Sequence, residues 1–144
     1  MFKILIIDDC REDAELTEKV LFKNLKDRVD VTKVCAGEEA LDLLKKEDFN
    51  LIITDYCIPK LSGLELIKRV RLLNQDIEVI FLSDDEGDRN VERYILDTKK
   101  AKESIPGPPI IFLGKPASPI IFTEYVNALL CNDRNLKSQT AALN

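Results

Sequence analysis

Short, uninterrupted apolar runs recur along the chain, and longer stretches with helical spacing of apolar residues lie between them. Four runs are strong and one is weaker, in the order Ile4–Ile7, Val29–Cys35 (the weaker run), Leu51–Thr54, Ile77–Leu82 and Pro109–Leu113. Continuous rather than alternating apolar runs are typical of parallel strands that are buried on both faces. The pattern predicts five strands, of which the second lies nearer an edge of the sheet.

Apolar residues at helical spacing follow each strand and predict five helices. The first four sets are Leu16, Val20, Leu21 and Leu25; Ala40, Leu41 and Leu44; Leu64, Ile67 and Val70; and Val91, Tyr94, Ile95 and Thr98. Ser62 and Glu65 have the spacing of a capping box, so the third helix should begin near Gly63. The last helix is predicted from Pro119 to Cys131, because proline is tolerated in a first turn. Its predicted inward residues are Ile120, Ile121, Tyr125, Ala128 and Leu129.

This alternation of strand and helix indicates an α/β fold: a three-layer, doubly wound, five-stranded parallel sheet with right-handed crossovers. The chain has 144 residues, which suits one domain with a single core. We predict a folded domain over residues 1–131, a polar and frayed tail over residues 132–144, and no output domain.

Charge and composition exclude several classes of function. The net charge is −5 and the pI is near 4.9, so the chain lacks the basic field that draws proteins to nucleic acids. It has no histidine, which leaves carboxylates, lysines, hydroxyls and thiols for any chemistry. Its four cysteines lack metal-binding spacing, and its apolar start, Met1–Ile7, is too short for a signal peptide or a membrane span. We therefore expect a cytoplasmic protein without direct nucleic-acid or membrane partners.

Residues that leave the strands at their carboxyl ends carry the candidate chemistry, because ligands of doubly wound sheets bind there. These residues are Asp8, Asp9, Asp55, Ser83 and Lys115. Three carboxylates and one ammonium leave a net charge of −2, and two carboxylates about 4 Å apart repel by roughly 4 kcal/mol at an effective dielectric constant near 20. A divalent cation relieves this repulsion, and all-oxygen ligands favour Mg²⁺. Asp55 could then attack a phosphoryl donor without a general base.

Four motifs in order along the chain carry a family resemblance. They are Ile6-Ile7-Asp8-Asp9, Thr54-Asp55 with the following Ile58-Pro59-Lys60-Leu61-Ser62-Gly63, Ser83 at the end of the fourth strand, and Gly114-Lys115-Pro116. Together they resemble the response-regulator receiver domain of two-component signalling, over roughly residues 1–131. The resemblance implies the strand order 2-1-3-4-5. It also implies a signalling domain rather than a classical enzyme, one that phosphorylates and dephosphorylates itself.

The resemblance assigns roles to the candidate residues. The ligands of Mg²⁺ would be Asp8, Asp9, Asp55 and the backbone carbonyl of Cys57. Asp55 would accept the phosphoryl group as an aspartyl phosphate, and Ser83 and Lys115 would contact the phosphoryl oxygens. The Lys115–Pro116 peptide bond would be cis, a form that costs little before proline. Ser83 and Phe112 would be the switch residues, although Phe112 also fits simple core packing among its apolar neighbours.

The resemblance also implies partners. A sensor histidine kinase or a phosphotransfer protein would donate the phosphoryl group to Asp55. A downstream protein would bind the face formed by the fourth helix, the fifth strand and the fifth helix, and signalling would follow from changed protein–protein binding. A homodimer is a further association that the resemblance allows.

Two features depart from the family pattern. Asp84 stands where receivers usually carry a small residue, and an inward carboxylate there would oppose a phosphoryl donor. The alternative is that Asp84 turns outward into solvent. The segment 86–109 is longer than usual, and Pro106-Gly107-Pro108-Pro109 replaces the usual Gly-Ala before the last strand. Partner choice is therefore expected to be unusual.

Other functions remain open at this point. Asp84 and the long segment favour a receiver-like scaffold that binds partners without phosphate turnover. A Mg²⁺-dependent phosphohydrolase of the haloacid dehalogenase type needs an acid two residues after its nucleophile, where Cys10 or Arg11 stands. A flavodoxin needs a hydroxyl-rich phosphate loop after the first strand, which Asp8–Asp13 does not offer. Redox-sensitive thiols at Cys10 and Cys57 are a further alternative, which the acidic surroundings disfavour because nearby negative charge opposes formation of the reactive thiolate.

Overall fold

A computed structural model of the protein describes residues 1–55, 60–84, 99, 105–115 and 118–143, with the side chains of all of these except 83, 84, 115 and 133–143. The strands are β1 (Phe2–Ile7), β2 (Val29–Val34), β3 (Leu51–Asp55), β4 (Glu78–Asp84) and β5 (Ile111–Lys115). The described helices are α1 (Arg11–Leu25), α2 (Gly37–Leu44), α3 (Gly63–Leu73) and the C-terminal helix α4 (Pro119–Leu143). A 3₁₀ turn, Lys26–Arg28, precedes β2.

The five strands form one parallel sheet in the order β2-β1-β3-β4-β5, as predicted. Asn50 joins the amino ends of the three central strands, since its side-chain oxygen accepts from the Lys3 amide at 2.8 Å. The Asn50 carbonyl accepts from the Glu78 amide at 3.1 Å. The residues that follow the carboxyl ends of the strands lie at the opposite end of the sheet.

Helices cover both faces of the sheet and enclose two separate cores, because successive strand residues point to opposite faces. One core packs α2 and α3 against strand residues such as Leu5, Ile52 and Phe81. The other packs α1 and α4 against Ile4, Ile53 and neighbouring strand residues. Continuous apolar runs are therefore required in the central strands, where both faces are buried.

The start of α3 is confirmed. Its Ser62 hydroxyl accepts a hydrogen bond from the Glu65 amide at 3.2 Å, so the helix begins at Gly63 with one free amide satisfied. In α1 the spacing is correct for Leu21 and Leu25, which are buried, but Leu16 is exposed.

The inward face of α4 was predicted wrongly except at Leu129, which is half-buried and packs against the core that contains Ile4 and Ile53. Ala128 is exposed. Ile120 is 72% exposed, Ile121 and Tyr125 are also exposed, and the buried residues are instead Phe122, Val126 and Leu130. Apolar residues occur around most of the circumference of this helix, so the sequence is compatible with either of two inward faces. Packing against the sheet selects one of them. The helix also continues to Leu143 rather than ending at Cys131, because residues 132–143 include no proline or glycine.

The predicted fourth helix, with Val91, Tyr94, Ile95 and Thr98, lies outside the described residues. Within the part of the chain that is described, no helix combines the length and the apolar character needed to cross a membrane.

Candidate functional site

The registers of the central strands bring distant acidic residues together. Ile7 of β1 is paired with Thr54 of β3, so one step further along both strands Asp8 follows beside Asp55. The Asp8 amide extends the pairing to the other neighbour, since it donates to the Val34 carbonyl at 3.1 Å. The backbone of Asp8 is therefore held to β2, directly after the residue that pairs β1 with β3.

The side chains of Asp8, Asp9 and Asp55 form a compact oxygen cluster. One carboxylate oxygen from each lies within 4.8 Å of the other two. Asp8 is 3% exposed, Asp55 is half-buried and Asp9 is exposed, so the cluster opens to solvent on one side. The Asp8 carboxylate accepts a hydrogen bond from the Cys10 amide at 2.9 Å, which fixes its orientation at the start of α1. The predicted convergence of these three residues is confirmed.

The donor set of this cluster fits Mg²⁺. All three ligands are hard oxygens, and the exposed side leaves room for the waters that Mg²⁺ retains. At a separation of 4.8 Å, two ionised carboxylates repel by roughly 3–4 kcal/mol at an effective dielectric constant near 20. A divalent cation is the counterion that removes this cost for all three groups together.

Of the remaining predicted residues, those whose backbone is described lie at the same end of the sheet. Ser83 is paired with Gly114, and Asp84 is paired with Lys115, at the carboxyl ends of β4 and β5. The backbone positions of Ser83 and Lys115 therefore lie at the end of the sheet that carries the acidic cluster. The side chains of Ser83, Asp84 and Lys115, the Cys57 carbonyl and the Lys115–Pro116 peptide bond lie outside the described part of the structure.

Phe112 is half-buried in β5 and stacks on Phe81 of β4. Their ring centroids are 5.2 Å apart and their planes differ by 22°. Phe112 belongs to the core on the α2–α3 side of the sheet. This packing accounts for its apolar character, and its role as a switch stays a prediction.

The sequence pattern did not reveal Arg71, which is 3% exposed in the last turn of α3. Its guanidinium donates to the Pro106 carbonyl at 2.6 Å and to the Pro108 carbonyl at 3.0 Å. Burial lowers the pKa of Arg71, which Glu78 and Asp76 partly counter, and burial raises the pKa of Glu78. Arginine is ordinarily exposed, so the available signal was only its spacing of four residues from buried Ile67.

Comparison with known proteins identifies the family of this fold. The family described as the response regulator receiver domain matches residues 4–103. A two-component response regulator of rice, ORR4 (Oryza sativa subsp. indica), is 33% identical over 118 residues, which cover 67% of this chain and 50% of the rice protein. A chemotaxis protein CheY homolog of Campylobacter jejuni is 36% identical over 92 residues, or 62% of this chain and 69% of that protein. The chain thus matches only half the length of the rice regulator.

Solved structures show the same fold. The receiver domain of the Francisella response regulator 1452 has a TM-score of 0.66 and 26% identity, covering 92% of this chain and 99% of that one. A response regulator receiver domain protein from Clostridium thermocellum has a TM-score of 0.73 at 22% identity, covering 94% of this chain and 99% of that one. The family match, the sheet order and the acidic cluster agree, and this chain belongs to the response regulator receiver domain family.

Proposed function

We propose that the chain accepts a phosphoryl group on Asp55, with Mg²⁺ bound by Asp8, Asp9, Asp55 and the backbone carbonyl of Cys57. Receiver domains are signalling domains of two-component systems rather than classical enzymes, and they generally bind Mg²⁺. The observation that carries the proposal is the approach of the Asp8, Asp9 and Asp55 carboxylate oxygens to within 4.8 Å of one another. Three ionised carboxylates this close repel one another, and a bound divalent cation would offset that repulsion.

The proposed reaction is an in-line phosphoryl transfer. An Asp55 oxygen bonds to phosphorus while the bond from phosphorus to the donor breaks, and the donor takes up the proton it needs as it leaves. When bound, Mg²⁺ would neutralise charge on the phosphoryl oxygens. The Ser83 hydroxyl and the Lys115 ammonium would donate hydrogen bonds to the same oxygens. Neither the attack nor this stabilisation requires histidine on this chain, which agrees with its composition.

The proposed donor is the phosphohistidine of a sensor histidine kinase or of a phosphotransfer protein, in the cytoplasm. Phosphorylation replaces one negative charge on Asp55 with about two. We propose that Ser83 and Phe112 carry this change to a downstream partner, through the face that includes β5 and α4. On the described part of that face Ile120, Ile121 and Tyr125 are exposed. We also propose that the chain can form a homodimer through this face. Sedimentation velocity with and without phosphodonor would measure the molecular mass and so test this.

Intact mass spectrometry after incubation with Mg²⁺ and a small phosphodonor tests the central step. The wild-type chain should gain one phosphoryl group, and Asp55→Asn should gain none. Asp48→Asn is a matched control, because Asp48 is exposed in the connection from α2 to β3, at the opposite edge of the sheet. Phosphorylation of Asp55→Asn to the wild-type extent would refute the assignment.

A second candidate is a scaffold that binds partners without phosphate turnover. The observation that favours it is the backbone pairing of Asp84 with Lys115, which adds a fourth acidic residue to the edge of the site. The same incubation separates the two functions, with Asp84→Ala as the added variant. A rate that rises in Asp84→Ala indicates a receiver slowed by charge, and the absence of any mass gain in both proteins supports the scaffold.

A further inference from the structure

Arg71 joins α3 to the loop that leads into β5. One guanidinium binds two carbonyl oxygens of this loop, at Pro106 and Pro108. Arginine suits this contact because its donors form a rigid planar fork that can engage two acceptors together. The loop backbone is thereby held at two points shortly before Ile111, where β5 begins.

Gly107 makes this contact sterically feasible. Its φ of 107° lies in the left-handed region that disfavours other residues. A Cβ atom at Gly107 would overlap the Gln75 carbonyl oxygen and the Arg71 Nη1 atom. The loop can therefore approach the end of α3 closely only with glycine between the two carbonyls that Arg71 binds.

Burial of its side chains specifies the register of β5 only weakly. β5 lies at one edge of the described sheet, paired with β4. Ile110 and Phe112 pack into one core and Ile111 and Leu113 into the other, all of them half-buried. A slip by one residue exchanges the two faces of a strand. Here such a slip would replace apolar residues with apolar residues, so it changes little burial, and the stacking of Phe112 on Phe81 is the main side-chain contact that opposes it.

We infer that Arg71 is a positioning residue that sets the register of β5 by holding the carbonyls of Pro106 and Pro108. The register is what pairs Lys115 with Asp84 at the edge of the site. A slip would move the whole strand by one residue and carry Lys115 away from the acidic cluster. The structural part of the inference is independent of chemistry, and its consequence for phosphorylation rests on the proposed function.

Nuclear Overhauser contacts between β4 and β5 in the isotope-labelled full chain test the register. The wild-type protein should show one pairing, with Ile80 opposite Ile111 and Leu82 opposite Leu113. Arg71→Leu should show a second pairing offset by one residue, or lose the β4–β5 contacts while those between β1 and β3 persist. Arg69→Leu is the matched control, since Arg69 is an exposed arginine of the same helix that pairs with Glu65. A single wild-type pairing in Arg71→Leu would overturn the inference.

Two further variants decide the matter if Arg71→Leu does not fold. Arg71→Lys keeps the buried charge, but its ammonium is a point donor without the planar fork, so it should restore the pairing only in part. Gly107→Ala keeps Arg71 and displaces the loop, and it should disturb the β4–β5 contacts as Arg71→Leu does. Wild-type pairing in both Arg71→Lys and Gly107→Ala would count against the inference.

A functional measurement distinguishes positioning from general stability. In Arg71→Leu the phosphorylation rate should fall about tenfold or more, because small misplacements near reacting atoms are costly. The dissociation constant for Mg²⁺ should stay within about twofold, because the carboxylates of Asp8, Asp9 and Asp55 stand on or beside β1 and β3. Equal losses in both quantities would indicate a structural role and overturn the positioning role. Absence of phosphorylation in the wild-type chain would refute the proposed function while the register measurement still decides the inference.

Discussion

The two halves of the candidate site are built differently. The acidic half stands on β1 and β3, which have paired strands on both sides and side chains such as Ile52 that are fully buried. The cationic half stands on β5, at an edge of the described sheet, where the apolar side chains are only half-buried. The central strands are joined at their amino ends by the hydrogen bonds of Asn50, whereas the edge strand β5 is anchored from outside the sheet by Arg71.

Alanine substitutions in the two halves should give the largest contrast. Ile52 is 0% exposed, so Ile52→Ala should lower the free energy of unfolding by about 2–5 kcal/mol through lost burial and a residual cavity. Ile111→Ala should cost roughly half as much, because the side chain is already partly in water. Guanidinium chloride titrations measure both values, with unchanged m-values as the control for two-state unfolding. Equal losses would contradict the distinction between central and edge strands.

Two glycine substitutions compare the loop before β5 with the start of α2, and their expected effects on the free energy of unfolding are smaller. Gly107→Ala should cost about 1–3 kcal/mol through backbone strain and through overlap with the Gln75 carbonyl. Gly37→Ala is the matched control, because a Cβ there would meet the flexible Leu61 side chain at 3.1 Å and make ordinary contacts with Leu66 at 3.5 and 3.7 Å. Gly37 also begins α2 without positive φ, so this change should stay within about 0.5 kcal/mol. Urea denaturation of the two variants under identical conditions provides the test.

The same difference explains how much of the molecule the sequence could predict. The continuous runs Ile4–Ile7 and Leu51–Thr54 are typical of doubly buried parallel strands, whose carboxyl ends bring Asp8 and Asp55 to the same end of the sheet. Hydrophobic periodicity therefore indicates which end of the sheet carries the acidic half, whereas the strand order that makes β1 and β3 neighbours comes from the family resemblance. Family resemblance is needed for the roles of Ser83 and Lys115, which no local pattern indicates.

Features set by tertiary contact were missed. The apolar residues of α4 surround most of the helix, and only the packing of Phe122 and Val126 against the sheet selects the inward side. The burial of Arg71 depends on a loop more than thirty residues away, with Pro106 accepting its hydrogen bond. A single sequence shows that Gly107 lies between prolines, but it does not show what the glycine approaches.

Magnesium should stabilise the protein through the acidic half alone. At ten times its dissociation constant, a ligand that binds only the folded state raises the free energy of unfolding by about 1.4 kcal/mol. The wild-type chain should show this gain in thermal unfolding on addition of Mg²⁺, and Asp8→Asn should lose most of it because one ligand charge of the cluster is removed. Lys115→Ala is the control for the cationic half and should keep the gain. A gain that survives in Asp8→Asn would place the cation elsewhere.

The smallest expected effect concerns Glu78, which faces the charge of the anchor. Burial raises the pKa of Glu78 and Arg71 only partly offsets this, so the folded chain holds that proton to a higher pH than the unfolded chain does. Stability from the protonated form is present below the ordinary carboxyl pKa and is lost as the pH rises through the raised pKa. The substituted amide is neutral at every pH, so this stability is not lost in the Glu78→Gln variant. The variant should therefore be slightly more stable than wild type at neutral pH, and the difference should vanish at acidic pH. Denaturation midpoints across this range, with exposed Glu124→Gln as the control, measure the trend. A variant that is less stable than wild type at neutral pH, by a difference that shrinks on acidification, would mean that Arg71 stabilises the Glu78 carboxylate more than burial opposes it. The contact of Arg71 would then include an ion pair as well as hydrogen bonds.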